Sequence, residues 1–348
     1  MDFRQSVLDI PRALGETLGR AKLEYEALVR ATRWGEIPVH IVAPAPLVDL
    51  AIYGSYALET LLGWPAVVRE ALDFMTYGTG VLRQRSVVLL VSASGEEQEL
   101  FAVAQAARAR GAVVLTMAGN PFSAVAKAGH GVFLIRPGDD CAPLVKSAVC
   151  LQAGLGHLGL TLARLLKKPQ AVFADLEEEF TRLPEQVEKV LTQLSDAART
   201  FGSELNPQDG LRVAAEGCYR STAMSWSKLL GHFGFPPPQV FEGSAGIGQP
   251  IAPGEKVVLL SGSRCRLKKR IYEQAMRAKR DGARLLAVTD GNDRELADRA
   301  DLTVLLPTLH EMTGSLLTLV LLSWSSYHAV HERDPGVRQS RRTGQKKI

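Results

Sequence analysis

The chain has 348 residues, 46% hydrophobic and 22% charged, which excludes disordered, collagenous and coiled-coil chains and suits two domains of about 100–200 residues. Its 41 Lys and Arg against 37 Asp and Glu give a net charge of +4, but Arg338, Arg341, Arg342, Lys346 and Lys347 crowd five positive charges into the last eleven residues. The rest of the chain is near neutral and only 6% of residues are aromatic, so no nucleic-acid partner is expected.

At the N-terminus, Met1-Asp2-Phe3-Arg4-Gln5 lacks the apolar stretch of a secretory signal. A helix is predicted over 12–33, with Asp9 as its cap and Pro11 in its first turn. Short β-branched runs then alternate with amphipathic stretches, the pattern of βαβ units and a parallel sheet covered on both faces. Strands are predicted at 39–43, 67–69, 87–91, 113–117 and 132–135, with helices at 47–62, 96–110 and 142–166. A charged helical connector spans 175–201 and is expected to break near Pro184. Further strands are predicted at 212–215, 240–242, 257–260, 285–288 and 303–306, with helices at 220–232, 267–279 and 311–331. The longest apolar run, 316–322, is far short of the roughly 20 residues that span a bilayer, so no membrane partner is expected. Four cysteines with no C-x-x-C pair suggest reduced thiols, a cytoplasmic location and no metal site.

The two halves repeat each other. Val87-Val88-Leu89-Leu90-Val91 runs into Ser92-Ala93-Ser94-Gly95, and Val257-Val258-Leu259-Leu260 runs into Ser261-Gly262-Ser263. Gly111 and Gly282 then stand 171 positions apart, an offset that holds to Leu134 and Leu305. A period of half the chain indicates a duplicated domain. The divisions read from this are an N-terminal helix (1–36), a first domain (37–168), a connector (169–206), a second domain (207–332) and a basic tail (333–348).

In a parallel sheet, ligands settle at the carboxyl ends of strands. There, Ser92-Ala93-Ser94-Gly95-Glu96-Glu97 offers two hydroxyls, a permissive glycine and free helix N-terminal amides, the makings of an anion cradle. The plain alternative is Ser94 as an ordinary helix cap with acids in the first turn.

This loop, with Asn120-Pro121-Phe122-Ser123, Leu58-Glu59-Thr60-Leu61-Leu62-Gly63-Trp64-Pro65, Val145-Lys146-Ser147 and the helix ending at Tyr327-His328 and His331, resembles the sugar isomerase (SIS) domain family. The tandem arrangement is similar to the isomerase half of glucosamine-6-phosphate synthase and to related sugar-phosphate isomerases, deaminases and fructosamine-6-phosphate deglycases. The resemblance implies an α/β fold of two tandem flavodoxin-like three-layer domains, each with a five-stranded parallel sheet. It further implies a cytoplasmic homodimer that binds a phosphorylated or anionic sugar without a cofactor or metal. Ser92, Ser94, Gly95, Glu96 and Lys146 would line the cleft, with Ser261 and Ser263 on the matching loop of the second domain. No glutamine-hydrolysing domain is read in the sequence, so synthesis from glutamine is not expected.

Several positions depart from the family pattern. The cradle's last hydroxyl is replaced by Glu97, and a like-charge contact with a phosphate at about 4 Å costs on the order of 4 kcal/mol at an effective dielectric near 20. The first-strand loop reads Ala45-Pro46-Leu47, without the family's hydroxyls. Lys228 fits the family's lysine, but the enolising glutamate falls at Gly231 and the ring-opening histidine at Gly248; the tail lysine falls near Arg342. Isomerisation needs a base, and His232 and Glu242 are the substitutes nearby, with Arg342 at the tail. The alternative is a non-catalytic or regulatory sugar-binding homologue. A sugar-responsive transcription factor is disfavoured, since the 36 residues before the first strand make no helix-turn-helix.

Among the remaining motifs, His328 and His331 fit core packing better than a metal, and Asp139-Asp140 reads as a helix cap. Arg264 to Arg270 reads as a solvated basic face, although Arg264 beside Ser263 leaves an anion site open.

Overall fold

The computed structural model describes residues 2–32, 34, 38–168, 173–241 and 251–331. Two helices open the chain, α1 (Phe3–Leu8) and α2 (Ile10–Ala31), where the sequence suggests one. Asp9 stands at the joint, and its side chain makes no cap; it binds the Arg12 guanidinium (2.6 Å) and Lys146 Nζ (2.7 Å) instead.

The first sheet contains β1 (Val39–Ala43), β2 (Ala66–Glu70), β3 (Val87–Val91), β4 (Val113–Ala118) and β5 (Gly131–Leu134), all parallel, in the order β2-β1-β3-β4-β5. Around it lie α3 (Val48–Leu62), the one-turn α4 (Ala71–Asp73), α5 (Gln98–Ala109), α6 (Ala124–Ala128) and α7 (Val145–Leu165). The connector forms α8 (Phe173–Gln193) and α9 (Ser195–Glu204). The second sheet is built from β6 (Leu211–Ala215), β7 (Gln239–Phe241), β8 (Lys256–Leu260), β9 (Arg284–Asp290) and β10 (Leu302–Leu306), in the order β7-β6-β8-β9-β10. Its helices are α10 (Cys218–His232), α11 (Lys268–Arg280), α12 (Arg294–Ala297) and α13 (Glu311–His331). Both sheets therefore share the doubly wound 2-1-3-4-5 order, and the internal repeat of the sequence is a repeat of topology.

Every residue of β1 and β3 is buried, His40 of β1 included, as the unbroken Val and Leu run of β3 requires of a strand covered on both faces. On the outer face of the first sheet, Val42, Val88 and Leu90 pack against Leu100, Val103 and Ala107 of α5; on the second, Val257 and Leu259 pack against Ile271, Ala275 and Ala278 of α11. The inner faces of both sheets meet in one continuous core filled by α2, α3, α7, α10 and α13. By length and composition α7 could cross a membrane, but here it is the buried central helix of the first half.

The expected break at Pro184 does not occur. α8 runs through it, because Leu176, Phe180, Leu183, Val187 and Val190 form one buried stripe. A proline inside a helix costs roughly 3 kcal/mol, and each large apolar side chain buried stabilises by about 1.5–3 kcal/mol, so the stripe outweighs the lost hydrogen bond. The chain turns instead at Leu194, between α8 and α9.

Candidate functional site

The sheet order places the ends of β1 and β3 side by side, paired from Val39 with Val87 to Val42 with Leu90. The loops leaving them, 44–47 and 92–97, are thus neighbours at the carboxyl edge of the first sheet. Next to the first of these loops opens a cleft of about 240 Å³ between the two halves, walled by Pro46, Leu47, Leu50, Pro143, Leu144 and Leu229. Its polar groups are Asp49 from the first turn of α3, and Ser225, Lys228 and His232 along α10.

Those groups form a network across the two halves. Asp49 is buried at 1% exposure, and its Oδ1 takes Lys228 Nζ at 2.6 Å while its Oδ2 accepts from the Ser225 hydroxyl. Lys228 also donates to the Pro46 carbonyl (2.8 Å), and Ser221 donates to the Asp49 carbonyl (2.6 Å) while accepting from Gln152 Nε2 (2.8 Å). The Lys228 stem is partly exposed, so a fixed, half-solvated ammonium faces the cleft. His232 ends α10, exposed, edge-on to Phe233 at 5.7 Å. Of the expected site residues, the cleft therefore gathers His232 alone, beside Lys228; Ser92, Ser94, Gly95, Glu96, Ser261 and Ser263 are not among its walls. Glu242, Gly248 and Arg342 lie outside the described residues.

Sequence reasoning passed over Asp49 and Ser225. The signal was present: Asp49 is the one acid in the first turn of a mostly apolar helix. Its partners are about half a chain away, where no local pattern reaches.

The β3 loop is folded onto itself. Ser92 is fully buried and donates to Glu97 Oε2 at 2.5 Å while accepting from the Gly95 amide at 2.6 Å. The Ser94 amide points at Glu97 Oε1 (3.5 Å), and the Ser94 hydroxyl accepts from the Glu96 amide (3.1 Å). Ser94 thus closes a local turn and does not cap α5, which begins at Gln98 with Glu97 at its cap position. Gly95 has φ +81°, and a Cβ there would fall 2.1 Å from Ser123 Oγ. Gly95→Ala is expected to destabilise by about 2 kcal/mol from left-handed strain plus overpacking. Chemical denaturation would register this, and an unchanged midpoint would refute the geometry.

Lys146 is placed differently from expectation. It is fully buried at the start of α7 and ion-paired to Asp9, so its ammonium serves the N-terminal helices and not the cleft. Hydrogen bonding to Arg12 first, with Lys146 adding to it, lowers the Asp9 carboxyl to about 2. Asp140 caps the start of α7 by accepting from the Ser147 amide (2.7 Å), as the sequence suggested.

In the second half, the Ser263 amide and hydroxyl both donate to Asp290 Oδ2 (2.6 and 3.0 Å), and Ser261 is buried beneath them. Arg264, left open as an anion ligand, is taken by Glu179 (2.9 Å) and Asp175 (3.3 Å) of α8. Glu179 also accepts from the His310 amide and the Thr313 hydroxyl, capping α13 from another helix. Burial pushes the Glu311 carboxyl up, with the Arg266 amide opposing. His331 stacks on Tyr327 and His328 packs edge-on to Trp324, and no cluster of three metal-ligating side chains occurs among the described residues.

The fold is thus a parallel α/β domain duplicated around a cleft. Residues 49–151 match the family described as SIS domain, and the second half repeats the same topology. The glutamine–fructose-6-phosphate aminotransferase (isomerizing) of Clostridium perfringens is 26% identical over 297 residues, covering 83% of this chain and 48% of that protein. The corresponding enzyme of Gloeobacter violaceus is 26% identical over 321 residues, covering 87% and 50%. The chain thus spans about half the length of the curated relatives it matches. Among solved structures, the C-terminal domain of the Francisella tularensis glucosamine-fructose-6-phosphate aminotransferase superposes with a TM-score of 0.82 at 16% identity, over 94% of this chain and 95% of that one. Tagatose-6-phosphate ketose/aldose isomerase of Escherichia coli gives 0.73 at 14%, over 95% and 92%. These structural likenesses establish the fold.

Proposed function

We propose that the protein binds a monosaccharide derivative in the cleft between its two halves and that any turnover is a proton transfer between adjacent carbons, with His232 as the base. The observation that carries this is the cleft itself. Its volume lies below the roughly 300–1,000 Å³ of pockets for drug-sized ligands, which favours a small ligand. A preorganised ammonium, a carboxylate and a hydroxyl, set between apolar walls, suit a polyol chain. The class of reaction follows that of the similar proteins, an isomerising aminotransferase and a ketose/aldose isomerase. His232 is the cleft's exposed imidazole, and imidazole is the side chain whose ordinary pKa suits general base work near neutrality.

A second reading is binding without turnover. Gly231 favours it: the family's glutamate position holds no side chain, and an added Cβ would face Pro237 at 3.6 Å. A thermal-shift titration with hexoses, hexosamines and their 6-phosphates tests the binding claim. A true ligand at about 100 times its Kd adds roughly 2.7 kcal/mol and raises Tm measurably; no shift with any of them would reject the site. Turnover of the best ligand that His232→Ala abolishes, without loss of binding, selects the enzymatic reading.

A further inference from the structure

The anion cradle after β3 is filled by the chain's own anion. Its donors are the Ser92 hydroxyl and the amides of Ser94 and Gly95, and each is turned inward: the hydroxyl to Glu97 Oε2, the Ser94 amide toward Glu97 Oε1, and the Gly95 amide to Ser92 Oγ. The adjacent β1 loop supplies nothing in exchange. Pro46 has no amide hydrogen, and its carbonyl accepts from Lys228.

The second half reaches the same end by a separate route. There Asp290 Oδ2 accepts from the Ser263 amide and hydroxyl, while Oδ1 takes the Asn292 amide (2.9 Å) and the Thr308 hydroxyl (3.1 Å). At the repeat offset of 171, Asp290 corresponds to Gly119, so the two carboxylates come from different positions of the duplicated domain. Both strand-end loops hold an internal carboxylate, each from a different position of the repeat.

We infer that the cleft takes an unphosphorylated sugar, neutral or amino-substituted, and that Glu97 is the residue that sets this specificity. This rests on the reading of the cleft as a sugar site and on the pairing of β1 with β3, which sets the Glu97 loop beside the β1 loop whose Pro46 and Leu47 wall the cleft; no residue of 92–97 is itself in those walls. Glu97 Oε2 is committed to Ser92, whereas Oε1 has only the long 3.5 Å approach of an amide, and Glu97 as a residue is partly exposed. The loop therefore offers an acceptor to a ligand hydroxyl or ammonium, where an empty cradle would offer donors to a phosphate. A dianion at this loop meets the like charge of Glu97, with the Ser92 hydroxyl already used.

The test is calorimetric titration of the full chain, as wild type, Glu97→Thr and Glu97→Gln, with fructose, glucosamine, fructose 6-phosphate and inorganic phosphate. The expected wild type binds a free sugar at least about tenfold more tightly than fructose 6-phosphate and ignores inorganic phosphate. Glu97→Thr, which removes the charge and leaves a hydroxyl donor, is expected to improve fructose 6-phosphate affinity by at least about tenfold and to begin binding inorganic phosphate. Glu97→Gln, nearly isosteric, keeps the loop's shape and moves the preference the same way by a smaller factor. Preference of the wild type for fructose 6-phosphate over fructose overturns the inference and leaves the sugar cleft standing. If no sugar binds any variant, the cleft reading fails, and inorganic phosphate decides the role of Glu97. A gain in Glu97→Thr upholds that role, and no gain overturns it.

Discussion

Acidification from pH 7 to pH 4 is expected to remove several kcal/mol of folding stability, and two buried imidazoles are expected to account for most of it. His157 sits in the middle of α7, edge-on to Tyr25 and Phe180, and neither ring nitrogen has a hydrogen-bond partner. His310 precedes α13 and accepts the Met312 amide on Nδ1 (3.3 Å), so protonation there breaks the first turn's bond. Burial holds both down to about 4, against an ordinary 6.5, helped at His157 by Arg164 and Lys22 against Glu177 and at His310 by Arg264 and Arg266. Between those values the unfolded chain binds protons that the folded one refuses. Stability is therefore full above pH 6.5 and falls as the pH drops toward 4, by about 3 kcal/mol per group. His40, lowered by burial, pulls the same way, while Glu311, raised by burial, pulls against them as the pH falls. The measurement is the urea midpoint of wild type and His157→Leu across this range. The variant should match or exceed wild type at pH 7, since it removes two unsatisfied buried nitrogens, and should lose about 3 kcal/mol less by pH 4. Parallel pH profiles would show that His157 is not held neutral by the core.

The same packing explains which features the sequence disclosed. Runs such as Val87–Val91 announce a strand buried on both faces because nothing polar interrupts them, and their recurrence past mid-chain announces the duplication. α13 is legible to its ends, bounded by the acid at Glu311 and the basic last turn at His331. Side-chain partners follow no such period. That Glu97 turns back onto Ser92 depends on a loop conformation that Gly95 permits and Ser123 constrains. Lys146 matches a family pattern locally, yet Asp9, 137 residues earlier, has drawn its ammonium into the interior. Periodicity says which face of an element is buried; it does not say which charge from another element is buried with it. The continuity of α8 through Pro184 belongs to the same class, since the compensating stripe gains its energy only from helices that arrive elsewhere in the chain.

Removing Lys228 is expected to cost far more than its half-exposed position suggests, and more than removing the charge on its partner. The pair is unequal: the Lys228 side chain is 44% exposed, and that of Asp49 is 2% exposed at the junction of the two halves. In Lys228→Met the Asp49 carboxylate stays in the interior with the Ser225 hydroxyl as its remaining side-chain donor, which places the cost near the lower end of the range for a broken buried pair, about 3 kcal/mol. In Asp49→Asn the ammonium can turn to the water of the cleft and keep the Pro46 carbonyl, and the neutral amide still accepts from Ser225, so the cost is about 1 kcal/mol. The double variant should cost less than the two single losses combined, because the stranded carboxylate is the main penalty and Asp49→Asn abolishes it. Denaturant midpoints of the three variants decide this, read with the slope to confirm that the halves still unfold together. Equal costs for the two single changes, or strict additivity in the double, would mean that the bond across the halves does not carry the charge of Asp49. The predicted asymmetry also bears on ligand binding: the group whose loss does most damage to the fold is the cation that faces the cleft, so the cleft's electrostatics and the joint between its walls rest on one ammonium.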